Sequence, residues 1–308
     1  MKPTLVTLAA GLGSRYGGLK QMESFGPHGE TLMDYTLHDA LAAGFAKVVF
    51  VIRRGFAADF RAVVGRKVEK RVAVDYVFQE MEELPPGCAV PAARAKPWGT
   101  AHAVWCARGR VQEPFCCANA DDYYGKSAFR AVAEHLLRSG TGGAGHPPEH
   151  CIVGYPILQT LSDHGGVARA ICEVDEQGFL TSLLERTGVE KSGETGKYVD
   201  ETGHVRFLAG NEVVSMNMMG FTLAVFPQLE SGLVEFFAAQ KRAPDDSECL
   251  LPMVVGKVVK NEGARVRVLP TADAWFGVTH AQDKPGAIER IRAMVERGEY
   301  PSPIWGND

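Results

Sequence analysis

Apolar positions in the first half of the chain follow two alternating rhythms. Short unbroken runs at 5–8, 47–52, 72–78 and 115–118 have the length and texture of strands buried on both faces. Between them, 31–43 places Leu32, Tyr35, Leu37, Leu41 and Ala42 at helical spacing, with Gly44 able to stop the helix. The segments 56–64, 100–108 and 128–138 also read as helices, and the proline-rich stretch 79–98 reads mostly as loop. Strands alternating with helices in this way predict an α/β fold: a three-layer, Rossmann-like mixed sheet, mainly parallel, with helices on both faces.

A Gly- and Pro-rich stretch at 139–150 marks a change of texture. Strands are expected at 152–157, 167–174, 179–185 and 213–221 without helices between them, and Asp175-Glu176-Gln177-Gly178 supplies one turn. Helical spacing returns at 223–240, 250–259 and 285–297. With no repeat and no low-complexity tract, the 308 residues are expected to form a single domain, 1–308, with halves at 1–140 and 150–308.

Composition removes whole classes of function. Hydrophobic residues make up 45% and charged residues 23%, ordinary globular values, and a net charge of -4 argues against a nucleic-acid binder. The seven cysteines are odd in number and lack CxxC spacing, which disfavours a disulfide framework or zinc site and favours a reducing, cytoplasmic setting. The opening residues 1–10 read as a strand rather than a signal peptide. The longest uncharged stretch, 213–229, is interrupted by Ser215, Asn217, Gly220 and Pro227, so no membrane span is expected.

The strongest local signal is the turn after the first strand, where Gly11, Gly13, Gly17 and Gly18 are interleaved with Ser14, Arg15 and Lys20. Glycines let backbone N–H groups approach a phosphate chain, and a hydroxyl and two cations in the same loop suit a triphosphate attacked at its α-phosphorus. Two other readings compete. Gly11, Gly13 and Gly17 also fit a loose dinucleotide turn, with Arg53 meeting a 2′-phosphate, which points to an NADP-dependent oxidoreductase. A plain tight turn explains the glycines alone. Neither accounts for Arg15 and Lys20 together.

The segment from Leu8 through Lys20 resembles the opening motif of the sugar-phosphate nucleotidyltransferases, the GT-A-like pyrophosphorylase superfamily, written LAxGxGxR followed by a Lys. No Gly-Lys-Ser/Thr follows the glycines, so it is not a Walker A loop. The spacing from Arg15 to Lys20 is shorter than in thymidylyltransferases, which leaves base and sugar open. The resemblance implies that Leu8, Ala10, Gly11, Gly13 and Ser14 bind the nucleotide, Arg15 meets the triphosphate, and Lys20 bridges the α-phosphate and the incoming phosphate.

Further matches follow in chain order. Gly99-Thr100 resembles the family's LGTxxA segment at the nucleobase. Gln79 matches a family glutamine, whose donor and acceptor suit a pyrimidine edge and favour UTP. His102 reads as structural. Asp121, with Asp122 as the alternative, stands at the end of an apolar strand where the family places a Mg²⁺-binding Asp; either acid could instead cap the next helix. Glu185-Arg186 resembles the Glu-Lys pair that meets the acceptor, and Asn217 a sugar-pocket Asn, although a backbone partner suits Asn217 equally well. The second metal ligand falls on Thr279 or Asp283, because Gly277 stands where thymidylyltransferases carry an Asp; Asp283 could also cap the last helix.

The resemblance thus implies Mg²⁺-dependent nucleotidyl transfer from a nucleoside triphosphate to a sugar 1-phosphate, giving an NDP-sugar and pyrophosphate. The first half would bind nucleotide and the second the acceptor. Members are often oligomeric, so a homo-oligomer is an expectation. The oxidoreductase and a non-catalytic nucleotide or sugar sensor remain the alternatives.

Overall fold

In the computed structural model the described residues are 1–11, 22–91, 94–139, 148–239, 247–262 and 264–306. The first half comprises β1 (Thr4–Leu8), α1 (Leu32–Ala42), β2 (Lys47–Ile52), the short helices α2 (Ala57–Phe60) and α3 (Arg66–Glu69), β3 (Ala73–Phe78), α4 (Thr100–Cys106) and β4 (Phe115–Asn119). Every residue of β1 is buried. It lies between β2 and β4, parallel to both, so it has solvent on neither face nor edge. That is why its apolar run shows no alternation. The helical segment expected to end at residue 64 continues to Glu69, because Phe60, Val64 and Val68 form one buried stripe four residues apart.

β5 (Asp122–Tyr123) and α5 (Lys126–Ser139) complete that half, and the chain continues with β6 (Glu149–Pro156), β7 (Val167–Val174), β8 (Leu180–Ser192), β9 (Thr195–Val199), β10 (Val205–Leu208) and β11 (Val213–Phe221). It ends with α6 (Val225–Ala239), α7 (Leu251–Glu262), β12 (Arg265–Pro270), β13 (Phe276–Gly277) and α8 (Lys284–Glu296). One mixed sheet runs in the order β10-β9-β8-β7-β11-β4-β1-β2-β3, with β6 beside β11 and β12 beside β6. Strand β11 is the splice. It pairs antiparallel with β4 through Met219–Phe221 and with β7 through Val213–Ser215.

Helices α1, α2, α3 and α5 cover one face over a core that includes Phe50, Phe60 and Phe129. Helices α4, α6 and α7 cover the other, around Trp105, Phe115 and Leu229. The three-layer α/β arrangement is therefore present. Strands β9, β10 and β12 were not expected. Val199, Val205 and Phe207 of the β9–β10 hairpin are exposed and only Gly196 and Leu208 are buried, so too few positions are covered to imprint an alternating pattern. In β12 the alternation Arg265-Val266-Arg267-Val268 is a genuine period-two signal, with both arginines lying over Phe179 at 4.0 and 4.1 Å. All seven cysteines are free, six of them buried. Among the described residues no helix is long and apolar enough to cross a membrane.

The chain end returns to α1. Thr31 and Asp34 form a capping box, and Trp305 Nε1 donates to Asp34 Oδ1 at 2.6 Å. Tyr300 Oη donates to Asp39 Oδ2 at 2.6 Å and meets the Tyr123 hydroxyl at 2.7 Å, all buried. Burial raises the Asp39 carboxyl, and the Tyr300 hydrogen bond opposes that rise. Tyr300→Phe removes this donor from a buried acid. It is expected to cost about 1–3 kcal/mol in urea unfolding; an unchanged midpoint would show that the contact contributes nothing.

Candidate functional site

Strands β1, β3 and β4 end at one edge, and the ladder continues past each of them. Ala9 N donates to Val51 O at 2.8 Å, Gln79 N to Ile52 O at 2.9 Å, and Ala120 N to Leu8 O at 3.1 Å. The residues that follow line a cleft of about 510 Å³: Leu8, Ala10 and Gly11 after β1, Gln79 after β3, and Asp121 after β4. Carboxyl ends of parallel strands are where open α/β sheets bind ligands. Gly13, Ser14, Arg15 and Lys20 lie outside the described residues.

Gly99 and Thr100 line the same cleft at the start of α4. Gly99 has φ +93°, and a Cβ there would lie 2.7 Å from the Cys249 carbonyl oxygen, so only glycine fits. Thr100 Oγ1 accepts from Leu251 N at 2.8 Å, tying the start of α4 to that of α7. Gln79 Nε2 donates to Gly99 O at 2.9 Å and lies 3.2 Å from His102 Nδ1. Among the described residues no protein donor meets Gln79 Oε1. His102 is fully buried with Nε2 at Glu83 O, 2.5 Å away, and burial lowers its pKa, in keeping with a structural part.

The opposite wall comes from the second half. Glu185 on β8, Asn217 on β11 and Thr279 all reach the cleft. Asn217 is the exceptional residue: it has φ 62°, the one positive value away from glycine among the described residues. It sits where the β11 register shifts between Ser215 and Met219, and its Oδ1 is buried without a hydrogen-bond partner. Strain and an orphaned polar atom together are characteristic of a ligand contact.

Two expected residues lie elsewhere. Arg186 is absent from the cleft wall; its Nη1 donates to Glu201 at 2.7 Å and its guanidinium lies over Tyr198. Successive strand residues point to opposite faces, so Glu185 and Arg186 do not share one cavity. Asp283 lines a neighbouring cavity of about 260 Å³. Its carboxylate accepts from His280 N and from Ser162 Oγ, each at 2.8 Å, so it is engaged in the turn before α8. Arg53, the residue required by the dinucleotide reading, lines a third cavity of about 140 Å³ instead.

Other lining residues escaped the sequence reading: Lys96, Asn119, Arg169, Glu248 and Trp275. Arg169 is a charge inside an apolar strand, flanked by Ala168 and Ala170, and that is the signal that could have found it. Asp122 lines the cleft beside Asp121 and is the cross-strand partner of Gly277. Its Oδ2 accepts from Asn119 Nδ2 at 2.9 Å and Tyr124 Oη at 3.2 Å. A Cβ at residue 277 would fall on the Asp122 carboxylate and against the Trp275 ring. Among the described residues no group of three or more His, Cys, Asp or Glu could by itself hold a metal.

No family model matches the chain, and no curated protein sequence does. Solved structures do. A UDP-glucose pyrophosphorylase complexed with UDP-glucose aligns over 96% of this chain and 100% of its own, with TM-score 0.60 and 15% identity. The inositol-1-phosphate CTP transferase from T. maritima aligns over 94% of this chain and 96% of its own, with TM-score 0.53 and 16% identity. The chain shares their fold.

Burial raises the Glu185 carboxyl from 4.5 to about 7, with Arg169 partly opposing the rise. The folded chain therefore holds this proton to higher pH than the unfolded chain. The resulting loss of stability is absent below about 4.5, grows as pH rises and is complete above about 7. Glu185→Gln is expected to raise the melting temperature relative to the parent by at least about 2 °C more at pH 8 than at pH 5. Equal differences at the two pH values would refute the buried-acid assignment.

Proposed function

We propose that the chain transfers a nucleotidyl group from a nucleoside triphosphate to a sugar 1-phosphate. The observation that carries this reading is Asn217: a strained residue with a buried, unpartnered amide oxygen at the wall of a cleft that Gly11 and Asp121 also line. A sugar hydroxyl donates to such an oxygen. The likeness in fold to a UDP-glucose pyrophosphorylase and to an inositol-1-phosphate CTP transferase supports the same reaction class.

An oxygen of the acceptor phosphate attacks the α-phosphorus, the bond from that phosphorus to the bridging oxygen breaks, and pyrophosphate leaves with the electron pair. The nucleophile is already anionic, so alignment and charge neutralisation do most of the work. Arg15 and the Gly11 and Gly13 amides hold the triphosphate, and Lys20 spans the α-phosphate and the acceptor phosphate. Gln79 Oε1 accepts from the imide N–H that uracil and thymine share and cytosine lacks, which favours UTP or dTTP over CTP. Glu185 and Asn217 orient the acceptor hydroxyls.

The donors beside the triphosphate position are oxygens, Asp121 with Thr279 across the cleft, and they fit Mg²⁺, which takes few carboxylates plus phosphate oxygens and water. Bound there, Mg²⁺ supplies neutralisation of phosphate charge.

The test is pyrophosphate release across UTP, dTTP, CTP, ATP and GTP against a panel of sugar 1-phosphates with Mg²⁺. Turnover is expected first with UTP. Arg15→Ala and Asp121→Ala are expected to abolish it in folded protein. Asn217→Ala is expected to raise the acceptor KM about 5- to 30-fold, the worth of one hydrogen bond to a buried group. Full activity in both alanine variants overturns the reading. Binding without turnover makes the chain a sensor, and tight NADPH binding with no nucleoside triphosphate protection makes it an oxidoreductase.

A further inference from the structure

We propose that Arg169, rather than Arg186, supplies the cation that holds the acceptor's phosphate in the cleft. The inference rests on the reading above and adds a residue that neither the motifs nor the resemblance pointed to.

Among the described residues two cations line the cleft, Lys96 and Arg169. Lys96 stands beside Pro97 and Gly99, on the nucleobase side. Arg169 stands on β7 opposite Arg186 in the register, one residue from Ala170, the partner of Glu185. A register shift between Val167 and Arg169 interrupts the alternation there, and Arg169 lines the cleft with Glu185, Thr279 and Trp275 as well as the neighbouring cavity of about 260 Å³. Arg186 occupies the next position along β8 from Glu185 and is turned to Glu201 and Tyr198.

The guanidinium of Arg169 is held in place by the protein. Nε donates to Thr160 O at 3.1 Å and Thr160 Oγ1 at 3.0 Å, Nη1 to Ala168 O at 2.6 Å, and Nη2 to Thr160 O. The group lies over the Trp275 ring, 5.0 Å from its centroid. A guanidinium has five N–H donors. These contacts use one on each nitrogen, so Nη1 and Nη2 each retain one. That is the fork that binds two oxygens of a phosphate.

The charge also lacks a direct counterion. Arg169 is 5% exposed, and among the described residues no carboxylate forms an ion pair with it; Asp122, Glu185 and Asp283 act on it from farther away. Burial lowers its pKa to about 10, so it stays cationic at neutral pH. A buried charge without a close partner is costly, and an anion arriving at the cleft relieves that cost. Trp275 and the Thr160 carbonyl keep the fork from folding away before the anion comes, which is preorganisation of the kind that favours tight binding.

The experiment measures binding separately from turnover. Calorimetry with α-D-glucose 1-phosphate, and with the rest of the sugar 1-phosphate panel, compares the full chain with Arg169→Gln, Arg169→Lys and Arg186→Gln. Arg169→Gln is expected to weaken sugar 1-phosphate binding about 10- to 100-fold. UTP binding should change less than about threefold, since a charge-assisted bond is lost at the acceptor alone. Arg169→Lys keeps the charge but not the fork and is expected to weaken acceptor binding about 3- to 10-fold; it carries the test if the Gln variant does not fold. Parent-like acceptor affinity in whichever Arg169 variant folds overturns the proposal, as does a loss confined to Arg186→Gln, or equal loss of UTP and acceptor binding. Acceptor binding that depends on Arg169 without any pyrophosphate release sinks the proposed function and leaves this assignment standing. Turnover that is indifferent to Arg169 does the reverse. No binding of any panel member by the parent chain overturns both.

Discussion

Parallel pairing of β1 with β2 on one side and β4 on the other sets the position of everything in the cleft. The register puts Leu8 opposite both Val51 and Asn119. Because β1 and β4 run the same way and end level, the glycine turn and Asp121 emerge side by side. An antiparallel pairing would put them at opposite ends of the sheet. The buried β1 sequence allows no slack, since a slip of one residue would exchange its two packed faces. The placement of Gly11 and Asp121 at the cleft thus follows from sheet registry.

The Asn217 wall of the cleft is built differently. Strand β11 pairs antiparallel with β6 at both of its ends, and also with β7 through Val213–Ser215 and with β4 through Met219–Phe221. The irregularity between Ser215 and Met219 is where it changes partners, and Asn217 takes up the misfit in a left-handed conformation. Strain at this splice places an unpartnered amide at the cleft wall. Across the cleft, the tie from Thr100 Oγ1 to Leu251 N and the close approach of Gly99 to Cys249 hold α4 and α7 as one block. The Gly99–Thr100 wall is consequently tied down, and the Asn217 wall carries the strain.

What was legible in the sequence follows from these physics. Buried parallel strands announce themselves as apolar runs, so β1 through β4 were found, and with them Gly11, Gln79 and Asp121 at their ends. Gly99 was reached through its likeness to the LGTxxA segment, and the close approach to the Cys249 backbone gives the physical reason for a glycine there. Arg186 was misplaced because a motif match is read along the chain, whereas a strand alternates its side chains across two faces. Arg169 went unnoticed because a buried cation in an apolar strand looks like an interruption until its neighbours in space are known. The β9–β10 hairpin was invisible because Val199, Val205 and Phe207 remain in solvent and carry no burial pattern.

The absence of a side chain at Gly277 has an evolutionary consequence. Asp122 occupies the space that a larger residue at position 277 would need, and the Trp275 ring closes the rest. A mutation that placed a carboxylate at position 277 could not be accepted while Asp122 and Trp275 stand as they do. Nor does losing Asp122 alone create a substitute, because glycine offers no oxygen. Positions 122, 275 and 277 therefore form a small epistatic unit, in which single steps are blocked and change has to come in concert.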